Sequence, residues 1–166
     1  VAVFYTADKI SILASIAFTS RIYVAKVYHE GITEITAEDM KYAFELGYVI
    51  KLLAIAKRME HDVQVRVHPA FVPKNHPLAN VNGVFNAIHV RGNAVGDVMF
   101  YGPGAGSLAA GSAVVGDVID IARNINYDSA SRVHCTCFET RKVVDAESVV
   151  CKNYIRILTD DKPGVL

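Results

Sequence analysis

The segment Tyr101-Gly102-Pro103-Gly104-Ala105-Gly106 constrains this chain more than any other stretch, because an apolar run enters it and a run with helical spacing leaves it. A tight strand-to-helix turn needs backbone that can adopt φ > 0, and glycines at three alternate positions provide it. The same glycines let a ligand come close to the main chain, and free N–H groups at a helix start attract an anion or an electron-rich group. The spacing does not match the dinucleotide fingerprint G-x-G-x-x-G, so the local string alone serves an ordinary turn as well as a ligand contact.

The rest of the chain reads as two helices, several antiparallel strands and a further helix. From about Thr6 to Ser20, Ile10, Leu13, Ile16 and Ala17 recur at three- and four-residue spacing, with Ile12, Ala14 and Phe18 broadening the stripe, which predicts a largely buried helix. Ile22 to Tyr28 alternates less cleanly and ends at Gly31. Thr36-Ala37-Glu38-Asp39 then offers an N-cap with acids in the first turn, and a second helix runs to about Leu46, with Gly47 suited to a left-handed cap. Tyr48 to Ala56 and the alternating Val63, Val65 and Val67 predict an antiparallel pair across a turn at Met59 to Asp62. Pro69, Pro73 and Pro77 bracket a loop ending at Gly83. Val84 to Val90 and Val95 to Tyr101 predict a hairpin in which Gly92 takes φ > 0. Beyond the glycines, Leu108, Val114, Val115, Val118, Ile119 and Ile121 have helical spacing as far as Arg123-Asn124. Asn126 to Ser131 is polar, Val133 to Val150 is extended linker or small strands, and Tyr154 to Leu158 is a short strand before the turn at Asp160 to Gly164. The fold class expected is α+β, a mostly antiparallel or mixed open sheet with helices packed on one face.

Composition narrows the partners. Lys plus Arg equals Asp plus Glu at 17 each, so no net field steers a polyanion, and nucleic acid and acidic membrane surfaces are poor candidates. No apolar run approaches the roughly 20 residues of a membrane span, and no basic region precedes the apolar start, so a cytoplasmic location is expected. With 52% hydrophobic residues, the chain carries apolar surface beyond the needs of one domain, and a partner chain or a further domain is expected to cover it. Cys135, Cys137 and Cys151 are an odd set. The C-x-C pair with the neighbouring His134 is a weak metal signal, so no metal is expected and the thiols read as reduced. The N-terminus lacks Met and the chain stops after a strand-like run, so both ends are expected to be cuts in a longer polypeptide.

A colinear set of strings covers about residues 6 to 124: Ala7-Asp8-Lys9 with Ile12-Leu13-Ala14, Gly31-Ile32-Thr33, Glu45-Leu46-Gly47-Tyr48 with Lys51-Leu52-Leu53-Ala54, Arg66-Val67-His68-Pro69, His76-Pro77-Leu78-Ala79-Asn80-Val81, Phe100 to Gly106, and Gly116-Asp117-Val118. In order and spacing this set resembles homoserine dehydrogenase, in the part of its chain that follows the nucleotide-binding domain. Arg132 to Phe138 looks like the family's linker, and Tyr154 to Leu166 resembles the first strand and turn of a regulatory ACT domain. The resemblance implies an NAD(P)-dependent oxidoreductase that interconverts L-aspartate 4-semialdehyde and L-homoserine in threonine and methionine biosynthesis, with NADP or NAD as cofactor. It also implies a homodimer formed through the sheet, and three segments: a catalytic and dimerisation domain over 1–124, a linker over 125–150 and the start of an ACT-like domain over 151–166.

By the same resemblance Lys9 falls on the catalytic lysine, which gives a proton to the nascent alkoxide or positions it electrostatically. Placed near the N-terminal turn of an apolar helix, its pKa would be drawn down by desolvation. Gly106 falls on the glycine whose backbone meets the cofactor near the nicotinamide, with Gly102 and Gly104 shaping the turn. The resemblance places the Rossmann domain, a second lysine, an acidic substrate ligand and the monovalent-cation ligands outside this chain, so the chain alone is expected to bind cofactor poorly and to turn over little. At one position the pattern fails, because Tyr5 stands where the family has an aspartate four residues before the lysine, and a truncated or altered N-terminus is expected. A non-catalytic dimerisation or regulatory module is the alternative reading.

Overall fold

The computed structural model describes residues 2–129, 137–160, 162 and 164. Helix α1 spans Ala2–Ala17 and ends where Thr19 takes φ +53°. It begins one turn earlier than its apolar spacing predicts. Its buried stripe is made of small residues, Ala7, Ser11 and Ala14, which let the helix axis lie close to a sheet. The hydroxyls on this stripe do not go unpaired: Ser11 donates to the carbonyl of Asp8 at 2.7 Å and Ser15 to that of Ser11 at 2.6 Å.

The surface that α1 meets is a three-stranded mixed sheet in the order β1-β3-β2, where β1 is Tyr28–His29, β2 is Tyr48–Arg58 and β3 is Val63–Pro73. Strands β2 and β3 pair antiparallel from Tyr48↔Pro73 to Arg58↔Val63, and β1 runs parallel to β3 at Arg66 and Val67. Alternation sends Val63, Val65 and Val67 to the α1 side. These three are almost wholly buried, and Leu52 and Ala56 of β2 pack beside them. The α+β class with mixed pairing therefore holds.

Strand β3 runs on through Pro69, which the proline spacing predicts as loop. The carbonyl of Val67 faces β1 and accepts the amide of Glu30 at 2.8 Å, so Pro69, two residues on, presents its nitrogen to the same side after β1 has ended. A proline there removes no ladder bond. Helix α2, Ala37–Glu45, follows its sequence signals closely, with Thr36 and Asp39 forming a complete capping box and Gly47 at φ +87°. The Asp39 carboxyl lies below its ordinary pKa, first because the Thr36 hydroxyl and amide donate to it, then through Tyr154 and Arg156.

A second ladder stands apart from this sheet. Strands β4, Phe85–Gly92, and β5, Gly96–Pro103, pair only with each other. In their turn Gly96 at φ +73° takes the left-handed conformation, in place of the predicted Gly92. Helix α3, Ser107–Asn126, follows the glycine segment, and none of its residues is buried; Leu108 is 88% exposed and Ile125 76%.

The chain after residue 136 returns to the first sheet. Glu139 bridges Ser20 and Val143 bridges Val63, with the amide of Val63 donating to the carbonyl of Lys142 at 2.9 Å. The wholly buried Ser20 hydroxyl accepts the Arg141 amide at 3.0 Å. Much of the predicted linker thus closes one end of the core. Tyr154 to Leu158 joins no ladder among the described residues, contrary to its strand-like sequence, because side chains and not backbone groups attach it. His134 and Cys135 lie outside the described residues, as do Asp161 and Pro163 of the predicted turn.

The valine row is the structural centre, so its truncation is expected to cost far more than truncation in the hairpin. Val65→Ala should lower unfolding free energy by roughly 2–3 kcal/mol, and Val90→Ala, at a half-exposed site, by under about 0.5 kcal/mol, read from urea midpoints.

Candidate active site

Opposite the buried stripe of α1, Tyr5, Lys9, Ile12 and Ile16 follow one another at helical spacing along the exposed face. The three apolar members are each more than half exposed. Lys9 is thus the one charge in an apolar stripe. It sits in the third turn, not near the first, and its side chain is exposed, so the desolvation expected for it does not come from the described residues. Covering the stripe with apolar groups would impose that desolvation. Tyr5 lies one turn before Lys9 on the same face, while Asp8 points about 100° away. Val3 packs against the core, which makes the first turn an integral part of the domain.

The three glycines play different parts. Gly106 is the N-cap of α3 at φ +124°, a conformation that L side chains rarely adopt, and no side chain caps the helix there. Gly104 donates its amide to the carbonyl of Val84 at 2.9 Å, and a Cβ on it would fall on the side-chain amide of Asn86. Gly102 has ordinary backbone and open space around it. The first intrahelical bond runs from Ala110 to the Gly106 carbonyl, which leaves the amides of residues 107–109 for an outside acceptor. A close, electron-rich group therefore fits this turn, with Gly104 and Gly106 as the glycines it requires.

Residues that sequence reasoning passed over brace the turn. Phe85 and Tyr101 stack at 4.9 Å and 7° across the hairpin, and Asn86 fills the space that Gly104 leaves. Their signal was available in the hairpin register, which sets Asn86 opposite Gly102 and Ala87 opposite Tyr101. At the other end, Arg91 makes a paired contact with Asp97 at 2.7 and 3.2 Å and holds its carboxyl below the usual range. His76 lies against His89 at 5.2 Å, and Lys51 donates to the Val81 carbonyl and to Asn82 at 2.7 Å each, tying the hairpin's approach to β2. The main partners of α1 are β1, β2 and β3, whereas β4 and β5 pack chiefly on each other. Lys9 and the glycines thus stand on separate substructures. Among the described residues no three His, Cys, Asp or Glu side chains gather as metal ligands, and no helix is long and apolar enough to cross a membrane.

The family model of homoserine dehydrogenase matches residues 1–119, which include α1, both ladders and most of α3. The chain belongs to the homoserine dehydrogenase family. It is 40% identical to homoserine dehydrogenase of Neisseria gonorrhoeae over 95% of this chain and 38% of that protein. Against the enzyme of Pseudomonas aeruginosa it is 42% identical over 96% of this chain and 38% of that one. The crystal structure of a homoserine dehydrogenase from Thiobacillus denitrificans superposes with TM-score 0.73 at 45% identity, covering 84% of this chain and 32% of that one. The chain therefore spans under two-fifths of the length of these relatives. The matched residues include Tyr5 and Lys9 of α1.

The glycines give a graded test. Gly106→Ala should cost about 1–2 kcal/mol through backbone strain and Gly104→Ala at least as much through displacement of Asn86, while Gly102→Ala should leave the thermal midpoint within about 1 °C. A Gly102 variant as damaging as the other two would contradict this division.

Proposed function

We propose that this chain is the substrate-side and dimerisation portion of a homoserine dehydrogenase that interconverts L-aspartate 4-semialdehyde and L-homoserine in threonine and methionine biosynthesis. The reading carries over the segments 1–124, 125–150 and 151–166 and a cytoplasmic location. It rests above all on Lys9, a lone lysine in an exposed apolar stripe within the family-matched residues. A nicotinamide cofactor, NADP or NAD, supplies hydride chemistry when bound. Lys9 gives a proton to the oxygen of the aldehyde as it becomes an alkoxide, or holds that oxygen by its charge. Gly106 lets the cofactor reach the main chain, with Gly102 and Gly104 shaping the turn, and the amides at the start of α3 face it.

The site is half-built on this chain. The apolar stripe around Lys9, the uncovered α3 and the separate hairpin support the covering of these surfaces by a Rossmann domain and by a second copy paired through the sheet. The chain alone then turns over little or nothing. Tyr5 puts a phenol where a carboxylate would meet the substrate's ammonium group, which weakens substrate binding in the assembled enzyme.

In the full-length enzyme, Lys9→Ala should lower kcat by 10²- to 10⁴-fold, with cofactor Kd unchanged. Near-normal kcat in that variant would remove Lys9 from the chemistry.

A further inference from the structure

Lys51 stands out in β2 as the only charged residue between Tyr48 and Ala56. Alternation turns Leu52 towards the core beneath α1 and Lys51 to the other face of the sheet. From there its ammonium donates to the Val81 carbonyl and to Asn82 Oδ1, at 2.7 Å each, across 30 and 31 positions of sequence. Both acceptors are neutral, so the lysine serves as a long, charge-assisted donor and not as half of an ion pair. Bonds to two consecutive residues fix the backbone just before the turn that opens the hairpin.

That turn leads directly to the glycine segment. Gly83 takes φ +64°, the amide of Phe85 donates to the Asn82 carbonyl at 3.3 Å, and the amide of Gly104 donates to the Val84 carbonyl at 2.9 Å. The Phe85 ring lies flat on Tyr101, and Asn86 fills the space beside Gly104. A shift of Asn82 is therefore passed to the turn that ends at Gly106. The contact of His76 with His89 sits further along the strands, where His89 faces Met99. Given the proposed role of the glycine turn as the nicotinamide-side wall, on which this rests, we infer that Lys51 is a positioning residue. It refers that turn to the same sheet that seats α1 and Lys9. Hydride and proton can reach one carbonyl group only if the two substructures are held in register, and a misplacement of the order of 1 Å in such a geometry costs up to about 10²-fold in rate.

The full-length enzyme tests this with and without cofactor. Lys51→Met keeps the aliphatic stem and removes the donors. In the apo enzyme, hydrogen exchange at the bonded amides of Phe85 and Gly104 should quicken about tenfold, while the amide of Glu30, bonded to the Val67 carbonyl, stays unchanged. In turnover, kcat should fall about tenfold with cofactor Kd held within about twofold. The primary isotope effect with cofactor deuterated at the transferred position should rise, because a misaligned hydride step becomes slower than product release. Loss of stability alone would lower the active fraction and leave that isotope effect where it was. Lys51→Arg, which keeps the donors, should restore most of kcat, and Arg91→Ala, at the far end of the hairpin, should alter neither kcat nor exchange at Gly104. Unchanged exchange in Lys51→Met would overturn the tether. Faster exchange with kcat and isotope effect unaltered would overturn the positioning role; if Gly106→Ala leaves both unaltered as well, the turn does not face the nicotinamide, and the fault lies there and not in Lys51.

Discussion

The contact that everything else depends on is the seating of the α1 stripe Ala7, Ser11 and Ala14 on Val63, Val65 and Val67. Small residues on the helix and β-branched residues on the strand allow a close approach, and the contact fixes which side of α1 faces outward. Since a helix has only one opposite face, burying Ala7, Ser11 and Ala14 commits Tyr5, Lys9, Ile12 and Ile16 to the surface together. The core contact thereby sets the chemical setting of Lys9, although no core residue need touch it.

The second ladder depends on the first sheet through few links. Lys51 reaches from β2 to the carbonyl of Val81 and the side chain of Asn82, and His76 meets His89. Beyond these the hairpin relies on its own register, on the Phe85–Tyr101 stack and on the Arg91–Asp97 pair. An element so lightly tied, leading into a helix with no buried residue, has surfaces suited to a partner. Covering them is what the high apolar content of the sequence calls for.

Much of the local chemistry that acts within a few residues was legible, although in the hairpin turn Gly96 and not Gly92 takes the left-handed conformation. The capping box at Thr36 and Asp39, the left-handed Gly47, and the start of α3 after the glycines all follow from short-range rules. What was not legible depends on neighbours distant in sequence. Pro69 reads as a loop residue until β1 is seen to end beside it, and Tyr154 to Leu158 reads as a strand but joins no ladder among the described residues. The setting of Lys9 is of the same kind, since the side chain is visible in the sequence but whether it is desolvated depends on what covers its face. The three glycines looked equivalent as a string, and only the backbone angles and the Asn86 side chain separate Gly104 and Gly106 from Gly102.

The central claim is that this chain carries one wall of a cofactor site, the glycine turn and the amides behind it, while the grip on the cofactor lies elsewhere in the enzyme. Titrating reduced nicotinamide cofactor into this chain and into the full-length enzyme, with cofactor fluorescence as the signal, tests that claim most directly. Saturable binding by the full-length enzyme alone, with binding by this chain at least 100-fold weaker (about 2.7 kcal/mol), is the predicted result. Equal affinity in the two would contradict it.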